Sequence, residues 1–357
     1  MFIENIWYVA AWASEIGETL FSRRVCDLPL ALHRAADGGL VALHDQCPHR
    51  FAPLHLGAIV DGGVQCPYHG LTFGRDGECI GNPHGRIPKA ARVRTFPVIE
   101  RYSLIWVWLG DPSQADDRQI PDFSCLVDNT LRTTGGVFKV AAHYELITDN
   151  LMDLSHVAFL HKDGLGGDAI SRGKHSVEQH GTTLFSNRWC PNAPASPVWD
   201  ALFGDYGKPV DHWLEMRWDP PAHMLLDVGV TPAGRPRSEG ITTLGLDILT
   251  PETPTSTHYF WASSRNFAQS DADVDALIQS AIDTAFLNED RPMLEAVQAQ
   301  MGARRFDDMK PLLMPFDEGA VRARRVLKAI SLGHQAIEVP AAKRADARQD
   351  EAIRQTA

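Results

Sequence analysis

Two short motifs near the beginning of the chain pair a cysteine with a histidine. The first is Cys47-Pro48-His49-Arg50, and the second, Cys66-Pro67-Tyr68-His69, begins after sixteen residues that separate His49 from Cys66. Two thiolates can hold one iron of a [2Fe–2S] cluster while two neutral imidazoles hold the other, which is the ligand set of a Rieske centre. A structural Cys2His2 zinc site uses the same ligands, but zinc fingers present paired cysteines and then paired histidines. The alternation of Cys and His therefore favours the iron–sulfur cluster.

A second group of possible metal ligands lies in the segment from Asn150 to His161. Two imidazoles, His156 and His161, together with a carboxylate from elsewhere form a facial triad, which suits non-haem Fe(II) with open positions for O₂ and substrate. The two histidines are five residues apart, about 140° around a helix, so they do not share a face of a regular helix. We therefore expect the helix predicted from about Tyr144 to Phe159 to break or end between them. Taken alone, each could be an ordinary buried or surface histidine.

The elements that must carry these motifs fall into two parts. Short apolar segments separated by Asp, Gly and Pro turns fill the first ~115 residues and predict an antiparallel β domain, with the two Cys/His motifs at strand tips. A mixed α+β domain is predicted from 116 to 335, after a polar linker from Pro112 to about Ile120. It includes a long helix from Asp271 to about Gln300, in which apolar residues recur every three or four positions. Residues 336–357, poor in apolar side chains, are predicted to be a disordered tail.

Composition limits the possible functions. Hydrophobic residues make up 44% and charged residues 22% of the 357 residues, as expected for a globular protein. The net charge of -11 argues against a nucleic-acid partner, because binding phosphates needs a basic surface. No apolar run is long enough to span a membrane, and the amino terminus lacks the pattern of a signal peptide, so we expect a cytoplasmic protein with no membrane partner.

Both motifs together resemble the oxygenase component of Rieske non-haem iron aromatic-ring oxygenases, in the branch of vanillate and dicamba O-demethylases. The resemblance extends from Trp7 to about Leu332. It implies an α+β fold, with an N-terminal Rieske domain followed by a catalytic domain whose curved antiparallel sheet holds helices in a helix-grip arrangement. It also implies a [2Fe–2S] cluster, Fe(II), O₂ as cosubstrate, and electrons that come from NAD(P)H through a ferredoxin or flavin reductase.

The resemblance also implies roles for individual residues. It assigns Cys47, His49, Cys66 and His69 to the cluster, and His156 and His161 to the mononuclear iron. The third iron ligand is expected to be Asp290, with Asp283 and Glu289 as the competing candidates and an exposed acidic helix surface as the alternative for all three. On a continuous helix, Glu289 would point away from whatever Asp290 faces. Asn150 belongs to the same motif as the histidines and is counted with the catalytic residues.

Asp153 has a separate role in the resemblance, because the family's corresponding Asp connects an iron-bound His to a cluster-bound His of the neighbouring subunit. The match places His69 at the other end and implies a head-to-tail homotrimer, which is a closed ring of heterologous contacts. A carboxylate between two imidazoles fixes their tautomers and offers a hydrogen-bonded route for an electron. The alternative for Asp153 is an ordinary polar residue on the surface of the helix.

Substrate specificity is predicted from three positions. Where dicamba demethylases place a substrate-contacting Asn, His and Trp, this chain has Leu226, Asp247 and Ala281, which argues against dicamba. Strand alternation places Asp247 opposite Leu246 and Ile248, so if those two pack under the helices, Asp247 can face the cavity and accept a hydrogen bond from a phenol; the alternative is an Asp satisfied at a strand edge. We therefore expect oxidative demethylation of a small methoxylated phenol or aromatic acid, such as vanillate, with release of formaldehyde. Hydroxylation of a ring or methyl group is the alternative, and a pure electron carrier is a third possibility, which the residues after Gly110 disfavour.

Overall fold

The computed structural model describes residues 2–204 and 207–333, so the predicted tail 336–357 lies outside the described residues. Every strand pairing within its four sheets is antiparallel. Three small sheets lie in the first 109 residues, as the turn-rich sequence predicted, and one large sheet follows. No helix of the described residues is long and apolar enough to cross a membrane.

The first small sheet has the strand order β1-β10-β9, the second β2-β3-β4, and the third β5-β6-β7-β8. Their strands are β1 (Ile6–Trp12), β2 (Phe21–Val25), β3 (Leu28–Arg34), β4 (Leu40–His44), β5 (Ala58–Val60), β6 (Gly63–Gln65), β7 (Thr72–Gly74), β8 (Cys79–Gly81), β9 (Val98–Arg101) and β10 (Leu104–Leu109). The two Cys/His motifs follow β4 and β6 directly. Short 3₁₀ turns at Pro112–Gln114 and Asp117–Gln119 occupy the predicted linker. The domain boundary at 115/116 stays a prediction.

The large sheet has seven strands in the order β11-β17-β16-β15-β14-β13-β12. Its strands are β11 (Arg132–Val140), β12 (Lys174–His180), β13 (Thr183–Pro194), β14 (Pro209–Asp219), β15 (His223–Pro232), β16 (Ile241–Thr253) and β17 (Ser256–Arg265). The helices are α1 (Tyr144–Met152), α2 (Val157–Leu160), α3 (Asp168–Arg172), α4 (Pro197–Phe203), α5 (Ala272–Ile282), α6 (Arg291–Met301) and α7 (Glu318–Ser331). A π-helical segment, Asp283–Asp290, joins α5 to α6.

Alternation along the central strands β16 and β17 separates two cores. Leu246, Ile248 and Phe260 point to one face and pack against Trp106 and Trp108 of β10, all of them buried. Replacing one of these tryptophans by alanine is expected to cost about 3–5 kcal/mol of folding stability. Side chains of the opposite face pack against α1, α6 and α7, so the functional site lies on that side.

Two helices predicted to be continuous are interrupted. The helix predicted from Tyr144 to Phe159 ends at Met152, because the Asp153 carboxylate accepts hydrogen bonds from the backbone N–H (2.9 Å) and hydroxyl (2.9 Å) of Ser155. Such a local turn competes with helix continuation. The helix predicted from Asp271 to Gln300 widens into the π-helical segment just before Pro292, which has no N–H for the helix and would clash with the carbonyl four residues earlier.

Candidate metal centres and substrate cavity

The two Cys/His loops have the same backbone geometry. In the first loop the Cys47 N–H donates to the Ala52 carbonyl (2.9 Å) and the Phe51 N–H donates back to the Cys47 carbonyl (2.9 Å). In the second loop Cys66 and Gly70 repeat the pattern at 2.8 and 3.1 Å. Phe51 and Gly70, each four residues after its cysteine, both have a positive φ, of 60° and 72°. The two loops are therefore two copies of one turn.

These turns bring the four predicted cluster ligands together. Cys47 and Cys66 are buried in one apolar cluster that also contains Cys79, and all six cysteines of the chain are free thiols. Burial raises the pKa of the Cys47 thiol, and the neighbouring Cys66 adds to this effect. The His49 and His69 rings lie outside this apolar cluster, with their centroids 4.5 Å apart. A buried pair of sulfur ligands beside a more exposed pair of imidazoles fits the unequal ligation of the two irons in a Rieske cluster.

His156 and His161 stand at the two ends of α2, a single helical turn. Their nitrogen atoms and a carboxylate oxygen of Asp290 all lie within 4.8 Å of one another. His156 Nε2 is 3.6 Å from Asp290 Oδ1, and His161 Nε2 is 3.2 Å from Oδ2. As expected, the helix ends between the two histidines: α2 ends at Leu160, and His161 has non-helical backbone angles (φ -106°, ψ 25°), so the 140° separation of a regular helix does not apply. Two imidazoles and one carboxylate on one side of a point fit a facial triad for non-haem Fe(II).

Hydrogen bonds to the far side of each ligand fix its orientation. His156 Nδ1 lies 2.6 Å from the main-chain carbonyl of Asp153, and His161 Nδ1 lies 2.6 Å from Glu289 Oε2. Both Nδ1 atoms thus act as donors, which leaves both Nε2 lone pairs free for a metal. The Asn150 amide donates to Asp290 Oδ1 at 3.0 Å and holds that carboxylate in place.

The contact of Glu289 corrects the sequence analysis, in which Glu289 was expected to point away from the group that Asp290 faces. In the π-helical segment, successive side chains are separated by a smaller angle than in an α-helix, because each turn holds more residues. Asp290 therefore faces Nε2 of His161 while Glu289 contacts Nδ1 of the same ring. Pro292 was the sequence signal that could have revealed the interruption. Asp283, the other competing ligand, instead accepts a hydrogen bond from Gln279 at 2.9 Å.

The charges around the triad shift the pKa values of its two histidines in opposite directions. Burial lowers the pKa of His156, and the Asp290 carboxylate offsets this only in part. Burial also acts to lower the pKa of His161, but the carboxylates of Asp290 and Glu289 outweigh it and raise that pKa above its ordinary value. The carboxylates of Asp290 and Glu289 thus give the site the negative charge that favours a divalent cation.

Asp153 occupies a different place from the one predicted. It follows the end of α1, whereas it was expected to lie within the helix predicted from Tyr144 to Phe159. Its carboxylate is hydrogen-bonded to Ser155, and the contact with His156 comes from its main-chain carbonyl. Asp153 as a whole is partly exposed. The predicted bridge to His69 of a neighbouring subunit stays a prediction.

A cavity of about 160 Å³ lies between the large sheet, α4, α5 and the triad. An apolar cavity of about this volume can hold one aromatic ring. Leu226, Asp247 and Ala281 all line it, together with many apolar side chains. Asp247 is 4% exposed, and its Oδ1 accepts a hydrogen bond from the Tyr259 hydroxyl at 2.7 Å. Burial raises the pKa of Asp247 to about 7, because the Tyr259 hydrogen bond only partly compensates.

Leu246 and Ile248 lie on the face opposite Asp247, as predicted. They pack against β10, however, and not under the helices as the prediction had assumed. The sequence analysis also missed His212 of β14, which lines the same cavity and is 2% exposed. Alternation along β14 with Leu214 and Met216 could have placed it there, had that strand been predicted.

Comparison with known proteins agrees with this geometry. Residues 6–97 match the Rieske [2Fe–2S] domain, and residues 140–331 match the vanillate O-demethylase oxygenase C-terminal domain. The chain is 41% identical to the oxygenase component of dicamba O-demethylase from Stenotrophomonas maltophilia over 331 residues, covering 92% of this chain and 98% of the relative. It is 34% identical to the vanillate O-demethylase oxygenase subunit of a Pseudomonas species, with 94% and 96% covered. A crystal structure of dicamba monooxygenase bound to 3,6-dichlorosalicylic acid superimposes with a TM-score of 0.87 at 40% identity, covering 93% and 98% of the two chains.

Proposed function

The chain belongs to the Rieske non-haem iron oxygenases whose C-terminal domain is of the vanillate O-demethylase type, and we propose that it demethylates a small methoxylated aromatic compound. It is an oxidoreductase, the oxygenase component of a system whose reductase or ferredoxin is a separate protein. The observation that carries the proposal is the cavity beside the triad of His156, His161 and Asp290, which has the size of one aromatic ring.

The cofactors are a [2Fe–2S] cluster and Fe(II), and we assign their ligands to the residues described above. Cys47, Cys66, His49 and His69 would hold the cluster, and His156, His161 and Asp290 the iron. When bound, the cluster supplies electrons singly and the iron allows O₂ to react with substrate. Overall, ArOCH₃, O₂, two electrons and two protons give ArOH, formaldehyde and water, so the methyl carbon is oxidised and one oxygen atom is reduced to water.

The residues of the chain supply position and exclusion of water. Asn150 and Glu289 fix Asp290 and His161, and the Asp153 carbonyl fixes His156, so the three ligands need little rearrangement to bind the metal. The leucine, isoleucine and phenylalanine side chains of the cavity bury the aromatic ring. Asp247 lines the cavity, and its Oδ1 accepts a hydrogen bond from the Tyr259 hydroxyl. Because a carboxylate can accept several hydrogen bonds, we propose that Asp247 accepts another from a phenolic hydroxyl of the substrate.

A homotrimer is the second part of the proposal. Large apolar side chains are exposed beside the proposed cluster and beside the proposed iron site: Phe51 (68%), Tyr68 (61%) and Phe159 (79%). Exposed apolar groups of this kind are typical of protein interfaces. A head-to-tail ring would bring His69 of one chain to the partly exposed Asp153 of the next. Light scattering of the purified protein tests the trimer.

Formaldehyde release tests the reaction. Purified protein with a reductase, NADH and a panel of methoxylated phenols and benzoates should release formaldehyde in proportion to the phenolic product. Three irons per chain are expected, against two for a pure Rieske electron carrier. Ring-hydroxylated products with the methoxy group retained would support the hydroxylase alternative and contradict demethylation.

A further inference from the structure

One end of the cavity is formed by a buried histidine. His212 is 2% exposed and lines the cavity, and its Nε2 has no hydrogen-bond partner among residues 2–204 and 207–333. Its cross-strand neighbours, Cys190 and Val230, offer no strong acceptor or donor, and the Trp199 ring stands 5.9 Å away. A polar atom buried without a partner costs about 1–3 kcal/mol. Something that enters the cavity is therefore the available partner.

His212 and Asp247 mark opposite ends of the cavity. Asp247 pairs with Met224, and Met224 pairs with Trp218, which is six residues beyond His212 on β14. The two side chains therefore line different parts of the cavity wall. The triad residues His156, His161 and Asp290 line the same cavity. Leu154 and Val157 beside His156 pack in the same cluster as Trp199, while Phe286 in the segment of Asp290 packs on Tyr259.

The charges around the cavity are unsuited to an anion. Of residues 2–204 and 207–333, no lysine or arginine lines it, and two carboxylates, Asp247 and Asp290, do. Burial lowers the pKa of His212 to about 4, so its imidazole is neutral at pH 7 and brings no positive charge. A substrate carboxylate placed at this end would lose its hydration without gaining a cation, which is strongly unfavourable. A neutral imidazole can still donate or accept one hydrogen bond.

We propose that His212 forms a substrate-recognition subsite, and that the enzyme acts on an uncharged methoxyarene carrying a neutral hydrogen-bonding group that contacts His212 Nε2. This rests on the proposed function and narrows its substrate class, since phenols and amides fit the cavity and benzoates do not. His212 is a specificity residue here, because the triad and not His212 is placed at the reacting methyl group.

Three probes of similar shape separate charge from hydrogen bonding. They are 4-methoxybenzamide, 4-methoxybenzoate and 4-isopropylanisole, whose groups are neutral polar, anionic and apolar. Dissociation constants are measured by calorimetry on the iron-loaded enzyme under anaerobic conditions, so that the measurement does not require turnover. Formaldehyde release is then measured on the same samples. The variants are His212→Leu and, as a matched control on the partly exposed end of β12, His180→Leu.

The wild type is expected to bind the benzamide at least tenfold more tightly than the benzoate, and this ratio needs no variant. His212→Leu should weaken benzamide binding about tenfold, the equivalent of one hydrogen bond of about 1.4 kcal/mol, and change isopropylanisole binding less than twofold. His180→Leu should leave all three constants unchanged.

Equal binding of benzoate and benzamide by the wild type would overturn the inference, and so would an equal effect of His212→Leu on all three probes. If the leucine variant does not fold, His212→Phe, which also lacks a hydrogen-bonding group, replaces it and is judged by the same selective loss. No formaldehyde from any probe that binds would contradict demethylation while leaving the assignment of His212 intact.

Discussion

Removing the hydrogen-bond acceptor of Glu289 should weaken iron binding without disturbing the iron–sulfur cluster. Glu289 Oε2 lies 2.6 Å from His161 Nδ1, and the imidazole itself is 4% exposed. In Glu289→Leu, His161 loses the group that fixes its tautomer and that makes Nε2 a better donor to a metal. Glu289→Gln keeps an acceptor at this position but removes the charge.

The size of the effect follows from the exposure of the two side chains. Loss of a hydrogen-bond partner behind a metal-bound histidine generally costs 10- to 100-fold in metal affinity, about 1.4–2.7 kcal/mol. The Glu289 side chain is 28% exposed, so water can partly replace it once it is gone. We therefore expect about tenfold weaker Fe(II) binding for Glu289→Leu, and a smaller loss for Glu289→Gln because its amide oxygen still accepts.

Anaerobic titration of iron-depleted protein with Fe(II), in competition with a chelator, measures this affinity, while visible absorption of the [2Fe–2S] cluster gives the protein concentration. Asp283→Asn is the matched control, because it removes one negative charge from the same π-helical segment but contacts Gln279. Wild-type affinity in Glu289→Leu would refute the reasoning, and so would an equal loss in Asp283→Asn, since the effect would then be general electrostatics.

Three further predictions concern the two metal sites and the cavity. His161→Ala should abolish binding of mononuclear iron while retaining the cluster absorption, because the Cys/His loops lie on other sheets; simultaneous loss of both signals would contradict the ligand assignment. Asp153→Asn should keep both metals, since the Asp153 main-chain carbonyl still holds His156, but should slow single-turnover electron transfer at least tenfold; a wild-type rate would exclude the proposed bridge. The affinity for a phenolic substrate should rise as pH increases through about 7, where Asp247 loses its proton and becomes a stronger acceptor, and Asp247→Asn should remove this dependence; an unchanged pH profile in the variant would assign it to another group.

The chemistry of the chain could be predicted from its sequence more fully than its geometry. Ligand types and spacing in Cys47–His69 and in His156–His161 are short-range properties, and short-range spacing is what a sequence displays directly. The α+β class and the resemblance to Rieske oxygenases were confirmed for the same reason. The helix breaks were missed because they depend on single groups: the Asp153 carboxylate that captures the Ser155 N–H, and the missing N–H of Pro292.

Contacts between distant segments could not be predicted in this way. His161 and Glu289 are 128 residues apart, and only the packing of α2 against the π-helical segment brings them together. His212 was missed for a related reason, since β14 alternates weakly and carries charged residues beside its buried ones. Periodicity indicates which side of a strand is buried, but not which other elements cover that side.

The π-helical segment allows two adjacent carboxylates to contact the same histidine ring. A regular α-helix at this position would separate Glu289 and Asp290 by about 100° and direct only one of them at His161. The wider turn allows Asp290 to face Nε2, where a metal binds, while Glu289 holds Nδ1 of the same ring. The π-helical segment gives up the regular hydrogen-bond pattern of an α-helix. The contacts of Glu289 with His161 and of Asp290 with Asn150 offset this loss, and they form only when the distant segments have folded together. The π-helical segment therefore lies where the proposed metal site has two adjacent carboxylates on one imidazole.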